Sequence, residues 1–397
     1  RRFFRGLLKG DLSLRLQGLQ EDTGSIPVDP KSQILNVTKY EELPNDLKKL
    51  VKASKIPKEQ VKKNFDILLN ILAFQTKIKF QRVEDKKREA ITMEKPAVPP
   101  PRSLDRPNLE LESLLLEGDP RDFYKIMREE GKGGFGKVFK GVNKATGDKC
   151  AIKVMQHSGE KERRFNIGEY GFLRFCDHPN IVKYFACYET HNELWGIMEY
   201  LEGGTLEQAV KAYNFAENQI AYVAREVLRA LAFLHSENLV HRDLKSGNIM
   251  LSTQGEIKII DFGLCVDISN GMKTSMVGSP FWMPPEMIQR KPYDHKVDLW
   301  SLGICLMELA NGNPPHAKSS IKAMFTVGTE GYPQPFEKPK LWSDEFKEFL
   351  SLCLQMDPQN RPSSAELLQH AFMKKADSVK SMKNIISNIF VLSTMPF

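Results

Sequence analysis

The chain has 397 residues, of which 41% are hydrophobic and 27% are charged, so it is long enough for one large domain or two to three ordinary ones with a sizeable core. It contains no run of about 18 apolar residues, and the sequence therefore predicts no membrane-spanning helix. Six scattered cysteines include no CxxC pair, which indicates reduced intracellular thiols and argues against a disulfide framework or a zinc site.

The net charge of +7 is concentrated in the N-terminal third of the chain. Residues 1–120 hold 23 Lys and Arg against 18 Asp and Glu. This excess predicts an acidic partner, such as an anionic surface, and does not indicate a nucleic-acid-binding fold. We therefore expect a cytoplasmic protein that can be recruited to membranes, with no nucleic acid among its partners. Residues 1–39 form a basic segment whose degree of order the sequence leaves open.

Residues 40–80 have the pattern of short amphipathic helices. One face of the first helix is formed by Leu47, Leu50, Val51 and Ser54, with lysines around the others. Pro57 ends that helix or begins the next one. Because two short helices bury too little surface to be stable alone, we expect them to need a partner. The competing interpretation is a free helix pair that stays solvated or touches a membrane.

Residues 81–120 are polar and contain several prolines, including the run Pro99-Pro100-Pro101-Arg102. This composition predicts an extended linker. The prolines between residues 96 and 102 also fit the pattern of a ligand for an SH3 domain, and the sequence leaves that second interpretation open.

Residues 121–375 have the dense apolar pattern of a globular domain, and residues 376–397 follow as a C-terminal tail. Strand-like segments around Val138 and Ile152 come first, with a turn at residues 146–148 between them. Helical patterns follow, for example over residues 219–237 and 296–311. The sequence therefore predicts an α+β fold with a small β-rich lobe and a larger helical lobe.

A glycine-rich segment of the form GxGxxG opens this domain. Its residues are Gly131, Lys132, Gly133, Gly134, Gly136 and Val138. The motif alone is weak, because dinucleotide-binding folds use the same letters. Here the following residues are strand-like and no helix follows, so we predict a hairpin whose backbone N–H groups approach the phosphates of a nucleotide.

The third predicted strand contains Ala151 and Lys153. Because side chains alternate along a strand, Lys153 faces opposite to Ile152 and can neutralise phosphate charge. An acidic residue must hold it there, and Glu169 in the next helical segment is the candidate, with Glu160 and Glu162 as alternatives.

The most specific pattern is the segment His241-Arg-Asp-Leu-Lys-Ser-Gly-Asn248, followed by Asp261-Phe-Gly263. Asp243 can accept the proton of an incoming hydroxyl group. Asn248 and Asp261 offer oxygen ligands to Mg²⁺ bridging the phosphates of ATP. ATP and Mg²⁺ are thus the predicted cofactors.

Residues 123–373 as a whole resemble a complete protein kinase domain. Lys245 in the first pattern is typical of serine/threonine kinases, and the Ser279 hydroxyl is placed to bridge Asp243 and Lys245. The resemblance also implies two scaffold interactions. Glu286 should pair with Arg361, and Asp298 should brace the backbone of the catalytic loop.

Residues 195–204 and 276–283 are similar, more narrowly, to the PAK kinases, which are effectors of Rho-family GTPases. This similarity implies that Met198 is the gatekeeper and that the backbone of Glu199 and Leu201 bonds adenine. It aligns Ser275 with the activating phosphorylation site, where Thr274 is the rival. Protein substrates with Ser or Thr are the implied partners.

Residues 40–80 are similar to the autoinhibitory segment of the same family, so we predict that they inhibit the kinase domain within the chain, with Lys77 and Lys79 reaching acidic groups of the cleft. Two features depart from the family. Residues 21–42 lack its histidine-bearing GTPase-binding motif, which leaves a Rho-family GTPase uncertain as a partner. Gly247 stands where the family has an acid that receives basic substrate residues.

A pseudokinase scaffold and a basic membrane- or nucleic-acid-binding protein are the competing functional classes.

Overall fold

The computed structural model describes residues 34–76, 79–81, 111–133, 136–332 and 336–391. These residues belong to two compact units, of which the first includes Leu111–Ile167 and Tyr184–Tyr200 and the second includes Gly168–Lys183 and most of the remainder. The helices are α1 (Asn45–Ala53), α2 (Lys58–Lys63), α3 (Phe65–Thr76), α4 (Pro120–Phe123), α5 (Glu160–Phe175), α6 (Leu206–Ala212), α7 (Glu217–Ser236), α8 (Pro285–Ile288), α9 (Lys296–Asn311), α10 (Ser320–Thr329), α11 (Asp344–Cys353), α12 (Ser364–Leu368) and α13 (Val379–Val391). The strands are β1 (Ile34–Asn36), β2 (Lys79–Gln81), β3 (Leu115–Leu116), β4 (Tyr124–Gly133), β5 (Gly136–Asn143), β6 (Lys149–Gln156), β7 (Tyr184–Thr190), β8 (Glu193–Glu199), β9 (Leu239–Val240), β10 (Ile249–Leu251), β11 (Ile257–Ile259) and β12 (Val266–Asp267).

The first unit is built on a six-stranded sheet in the order β3-β7-β8-β6-β5-β4. Its neighbouring strands are antiparallel except for the short pair β3 and β7. Apolar residues on alternate positions of β6, such as Ile152 and Val154, join those of β7 and β8 in one core cluster. The predicted β-rich part of the domain is confirmed.

The second unit is mainly helical. Helix α7 packs against α9, α12 and strand β11, and most of its side chains are buried. Helix α9 is buried from Val297 to Leu309, as expected for a helix that is apolar all round. Both helices lie where the sequence predicted them, so the predicted helical part is confirmed as well.

One buried ion pair joins distant parts of this unit. The Arg361 guanidinium donates through Nη1 and Nη2 to the two carboxylate oxygens of Glu286, at 2.6 and 2.8 Å. Both side chains are almost inaccessible to solvent, so each charge depends on the other for compensation. The predicted pairing is therefore confirmed.

Helices α1 to α3 belong to the second unit, and α3 packs against α10 and α8. Leu47, Val51 and Ser54 are buried, but Leu50 is 39% exposed, contrary to the expectation that it shares their face. The spacing explains the difference, because positions i, i+4 and i+7 define a narrow inner stripe and Leu50, at i+3, lies at its edge. Lys77 and the side chain of Lys79 lie outside the described part of the chain.

The segment predicted as a C-terminal tail contains helix α13, which packs against α6. Met382 and Ile386 are fully buried, and Lys383 Nζ donates to Gln254 Oε1 at 2.5 Å. The missing side chains of two glycines make room for this helix, since a Cβ on Gly203 or Gly204 would lie within 3.1 Å of Ile386 or Phe390.

Within the described residues, no helix has the length and apolar character needed to cross a membrane. All six cysteines are buried. The predicted linker lies outside the described residues from 82 to 110, and so does the proline run that fits an SH3 ligand.

Candidate active site

The predicted nucleotide-binding residues of the first unit lie on one face of its sheet. Lys153 on β6 pairs with Val138 on β5, and Ala151 pairs with Met198 on β8. Directly paired residues of antiparallel strands point to the same side, as do residues two apart along a strand. The register therefore gathers Val138, Ala151, Lys153 and Met198 on the face opposite to Ile152.

The glycine-rich segment is the hairpin between β4 and β5, as its sequence predicts, with Gly133 paired to Gly136. Gly136 has φ of +125°, and a Cβ there would lie 2.3 Å from the Val154 carbonyl oxygen, so only glycine fits. Gly131 and Lys132 precede this turn on β4. Gly134 is outside the described residues.

Lys153 and Glu169 are both buried, with 8% and 3% of their surfaces exposed. Lys153 lies in the first unit, and Glu169 lies in the part of α5 that belongs to the second. Within the second unit, a Cβ on Gly263 would be 3.3 Å from Glu169 Oε2. Glu169 is thus next to the Asp261-Phe-Gly263 segment. Leu201 also lies in the second unit, whereas Glu199 ends strand β8 in the first.

Asp298 braces the loop that follows β9, as predicted. Its carboxylate accepts the backbone N–H groups of His241 and Arg242, both at 2.9 Å, and His235 Nε2 lies 3.1 Å away. Burial alone would raise the pKa of Asp298, but these hydrogen bonds and the neighbouring histidines hold it below its usual range. Arg242 has φ of +65°, a strained conformation that this brace stabilises.

The structure brings Asp243, Lys245 and Ser279 into mutual contact. Ser279 Oγ donates to Asp243 Oδ1 at 2.8 Å, and Lys245 Nζ lies 2.9 Å from Ser279 Oγ and 3.1 Å from Asp243 Oδ2. Asn248 Nδ2 donates to Asp243 Oδ2 at 3.0 Å. This is the bridge that the sequence predicts, and it fixes the Asp243 carboxylate beside an ammonium group and two further donors.

Asn248 and Asp261 lie at the same end of the hairpin formed by β10 and β11, since Ile260 N donates to the Asn248 carbonyl at 3.0 Å. The Asn248 amide nitrogen donates to the backbone carbonyl and the carboxylate of Asp243, so the side-chain oxygen of Asn248 could serve as a ligand to a cation. Among the described residues, no three His, Cys, Asp or Glu side chains form a metal site. The donors fit Mg²⁺, which typically takes one or two protein ligands together with substrate phosphates.

Ser275 is held by two residues, one of which the sequence analysis missed. Arg242 Nη1 donates to Ser275 Oγ at 3.1 Å, and the Tyr293 hydroxyl lies 3.1 Å from the same oxygen. Arg242 Nε also donates to the Leu264 carbonyl at 2.7 Å. Tyr293 is 18 residues from Ser275 and carries no motif, so no local signal marked it.

A second missed residue is Glu308, a buried acid in the apolar helix α9. Ser246 Oγ of the catalytic loop donates to Glu308 Oε1 at 2.8 Å. Burial raises the pKa of Glu308 to about 7, with a further contribution from the negative charge of Glu207. An acidic residue inside an apolar helical run is a signal that could have identified it.

Glu207 also bears on the departure at Gly247. A Cβ on Gly247 would be 3.3 Å from Glu207 Oε2. An acidic group is therefore present beside this position, supplied by helix α6 rather than by the catalytic loop.

Comparison with known proteins identifies the family. Residues 124–373 match the protein kinase domain, which is more than half of the chain. The chain belongs to the protein kinase family. The kinase domain of this chain thus contains the Asp243 cluster and the glycine-rich hairpin, as the sequence resemblance implied.

The relatives of this kinase include two serine/threonine kinases of the PAK type. The chain is 41% identical to serine/threonine-protein kinase PAK 1 of Mus musculus over 286 residues, which cover 71% of this chain and 52% of that protein. It is 37% identical to pakA of Dictyostelium discoideum over 347 residues, which cover 86% of this chain and 28% of that protein. It is 44% identical to the probable serine/threonine-protein kinase mkcB of the same organism over 371 residues, which cover 92% of this chain and 50% of that protein. The chain therefore spans about half or less of these relatives.

We predict that Glu308→Gln stabilises the protein more at pH 8 than at pH 5. A Glu with a raised pKa binds its proton more tightly when folded, so its ionisation lowers stability as pH rises from about 4.5 to 7. Removing this penalty should add on the order of 2–3 kcal/mol at pH 8 and little at pH 5. Urea unfolding at both pH values measures the difference, and the exposed variant Glu348→Gln is the control. An equal effect of Glu308→Gln at both pH values would contradict the prediction.

Proposed function

We propose that this kinase transfers the γ-phosphoryl group of ATP to serine or threonine hydroxyl groups of proteins. The observation that carries the proposal is the contact of Asp243 with Ser279, Lys245 and Asn248 at 2.8 to 3.1 Å. It supplies a carboxylate whose orientation is fixed, which is what the positioning of an incoming hydroxyl requires.

Each residue has a distinct task in this proposal. Asp243 accepts the hydrogen bond of the substrate hydroxyl and takes up its proton, while Lys245 stabilises negative charge on the transferring phosphoryl group. Lys153 neutralises phosphate charge in the first unit. Asn248 and Asp261 would hold Mg²⁺, which when bound neutralises the charge that develops on the phosphates.

Two observations support serine and threonine as acceptors. The relatives are described as serine/threonine kinases. In addition, Lys245 and Ser279 occupy the positions that the family resemblance links to this class, and the two side chains are 2.9 Å apart. The presence of Lys153, Asp243, Asn248 and Asp261 disfavours a pseudokinase scaffold.

Phosphorylation of Ser275 is the proposed activating event. A phosphate adds roughly −1.5 to −2 charge and three acceptor oxygens. Arg242 already donates to the Ser275 hydroxyl and can pair with that phosphate. Because Arg242 directly precedes Asp243, ordering of the loop by this pair would be transmitted to the catalytic carboxylate.

Inhibition by residues 40–80 is the second proposed form of regulation. Asn70 Nδ2 of α3 donates to the Ile288 carbonyl at the end of α8, at 3.0 Å. Gly328 of α10 leaves room for Ile67, because a Cβ there would be 3.0 Å from Ile67 Cγ2. Gln60 Nε2 also donates to Glu330 Oε1 at 2.9 Å. Helix α8 begins six residues after Ser279, so this packing can restrain the segment that holds Ser279.

The remaining partner assignments follow from the sequence. We propose a cytoplasmic kinase that is recruited to membranes through its basic N-terminal segment. Release of residues 40–80 by phosphorylation, lipid or another protein is favoured over a Rho-type GTPase, since the motif for that partner is not found in residues 21–42. An SH3 domain binding residues 96–102 is a further proposed partner.

We predict that Asp243→Asn and Lys153→Met each abolish transfer to a serine peptide while leaving the fold intact. The first change removes the proton acceptor, and loss of such a group typically lowers the rate by about 10²–10⁴. The second removes a charge that binds phosphate. Radiolabelled ATP measures transfer, and circular dichroism checks the fold. Near-normal transfer by purified Asp243→Asn would refute the assignment.

We predict that active enzyme carries phosphate on Ser275 and that Ser275→Ala lowers kcat by about 10-fold or more, because Arg242 loses the phosphate that orders the loop. Mass spectrometry of the active protein identifies the modified residue. Thr274→Ala tests the rival site, and Ser269→Ala is a control in the same loop. An unmodified Ser275 together with a fully active Ser275→Ala variant contradicts this site.

We predict that Ile67→Asp combined with Asn70→Asp raises the activity of the full chain several-fold, because a charge facing Gly328 and the loss of the amide bond to Ile288 release α3. Asp66→Ala, on an exposed position of the same helix, is the matched control. A peptide of residues 40–80 added in excess should lower the activity of the released variant. Equal activity of the unmodified chain, the double variant and Asp66→Ala, with no effect of the peptide, would show that the segment has another role.

A further inference from the structure

An ion pair in the first unit ties the start of helix α5 to the end of strand β7. Arg163 donates through Nε to Glu189 Oε1 at 2.6 Å and through Nη2 to Glu189 Oε2 at 2.8 Å. The two side chains are only 17% and 22% exposed. Such a two-point contact fixes direction as well as distance, and partial burial reduces its screening by solvent.

His157 adds a third element to this pair. Its Nε2 lies 3.1 Å from Glu189 Oε1, its side chain is 6% exposed, and its backbone N–H donates to the Asn192 carbonyl at 3.0 Å. His157 directly follows strand β6. The Glu189 carboxylate therefore connects the end of β6, the first turn of α5 and the end of β7.

Three further hydrogen bonds hold the same part of the helix. Asn166 Nδ2 donates to the Gln156 carbonyl at 3.2 Å. Ser158 donates through its backbone N–H and its hydroxyl to Glu162 Oε2, at 2.8 and 2.7 Å. These contacts lie within the first unit, so the start of α5 is attached to the sheet that carries Lys153.

The neighbouring residue Arg164 provides a contrast. Its Nε lies 3.1 Å from Glu160 Oε1, but the two side chains are 72% and 62% exposed. Exposed pairs of this kind contribute little to stability. Arg163 and Arg164 therefore have the same charge and lie on the same helix, but of these two ion pairs it is the one of Arg163 that joins the helix to the sheet.

We propose that Arg163, Glu189 and His157 are positioning residues that set the placement of helix α5 for phosphoryl transfer. Glu169 lies six residues after Arg163 on the same continuous helix, about 9 Å along its axis. A change in the direction of the first turn is therefore carried to Glu169. This inference rests on the proposed function, in which Lys153 neutralises phosphate charge, and on the sequence prediction that Glu169 holds Lys153.

The test is a charge exchange in the full chain. Arg163→Glu and Glu189→Arg each place like charges opposite one another, and the double variant restores an opposite pair. We expect each single variant to lower kcat with a serine peptide by about 10-fold or more, since small misplacements near the reacting groups cost up to about 10² in rate. The peptide KM should stay unchanged, and the double variant should recover most of the loss. Arg164→Glu, the matched control, should change kcat less than about two-fold.

Hydrogen exchange over residues 160–175 gives a readout that needs no activity. Exchange should become faster in both single variants and return towards the original rate in the double variant. If a single variant fails to fold, Arg163→Lys, which keeps the charge but loses the two-point contact, should give an intermediate kcat. Single variants with unchanged kcat and exchange, or a double variant no better than the singles, would overturn the inference.

The two proposals fail in different ways. An unmodified chain without transfer activity, or an active Asp243→Asn variant, contradicts the proposed function. An active chain that needs Asp243 but tolerates Arg163→Glu contradicts only the positioning role.

Discussion

The catalytic loop depends on one buried carboxylate, that of Asp298. It accepts two successive backbone N–H groups, from His241 and Arg242, and so holds Arg242 in a left-handed conformation that a non-glycine residue adopts only under constraint. In this conformation the Arg242 side chain contacts Ser275, while the next residue, Asp243, contacts Ser279. One brace thus supports both contacts of the loop, the one with Ser275 and the one with Ser279.

Helix α9 carries two buried acids whose pKa values shift in opposite directions because their hydrogen-bond partners differ. Asp298 and Glu308 are both almost inaccessible to solvent. Asp298 has several donors, and its pKa is held below the usual range despite burial. Glu308 accepts a hydrogen bond from Ser246, and burial raises its pKa to about 7. Helix α9 therefore contacts the catalytic loop through two acids, Asp298, whose charged form is stabilised, and Glu308, whose neutral form is favoured by burial.

Segments on either side of the kinase domain pack on the second unit where glycines leave space. Gly328 accommodates Ile67 of α3, and Gly204 accommodates Phe390 of α13. In both places a Cβ would come within 3.0 Å of the packed side chain, so the packing is specific to these positions. The N-terminal segment thereby contacts α8 and α10, whereas the C-terminal helix lies against the residues that follow Leu201. The second unit of this kinase is therefore packed on both sides by helices that lie outside the matched domain.

The sequence by itself determined the fold class and several of its strands and helices, and it indicated the candidate catalytic residues, because strand alternation and close motif spacing are local properties. It placed Lys153 on the face opposite to the core, and Asp243 within reach of Ser279, correctly. Only the tertiary structure decided that Leu50 is exposed, that Tyr293 holds Ser275, and that Arg163 pairs with a residue of β7. Those contacts join side chains far apart in the chain, and their partners are selected by packing geometry that no local pattern encodes.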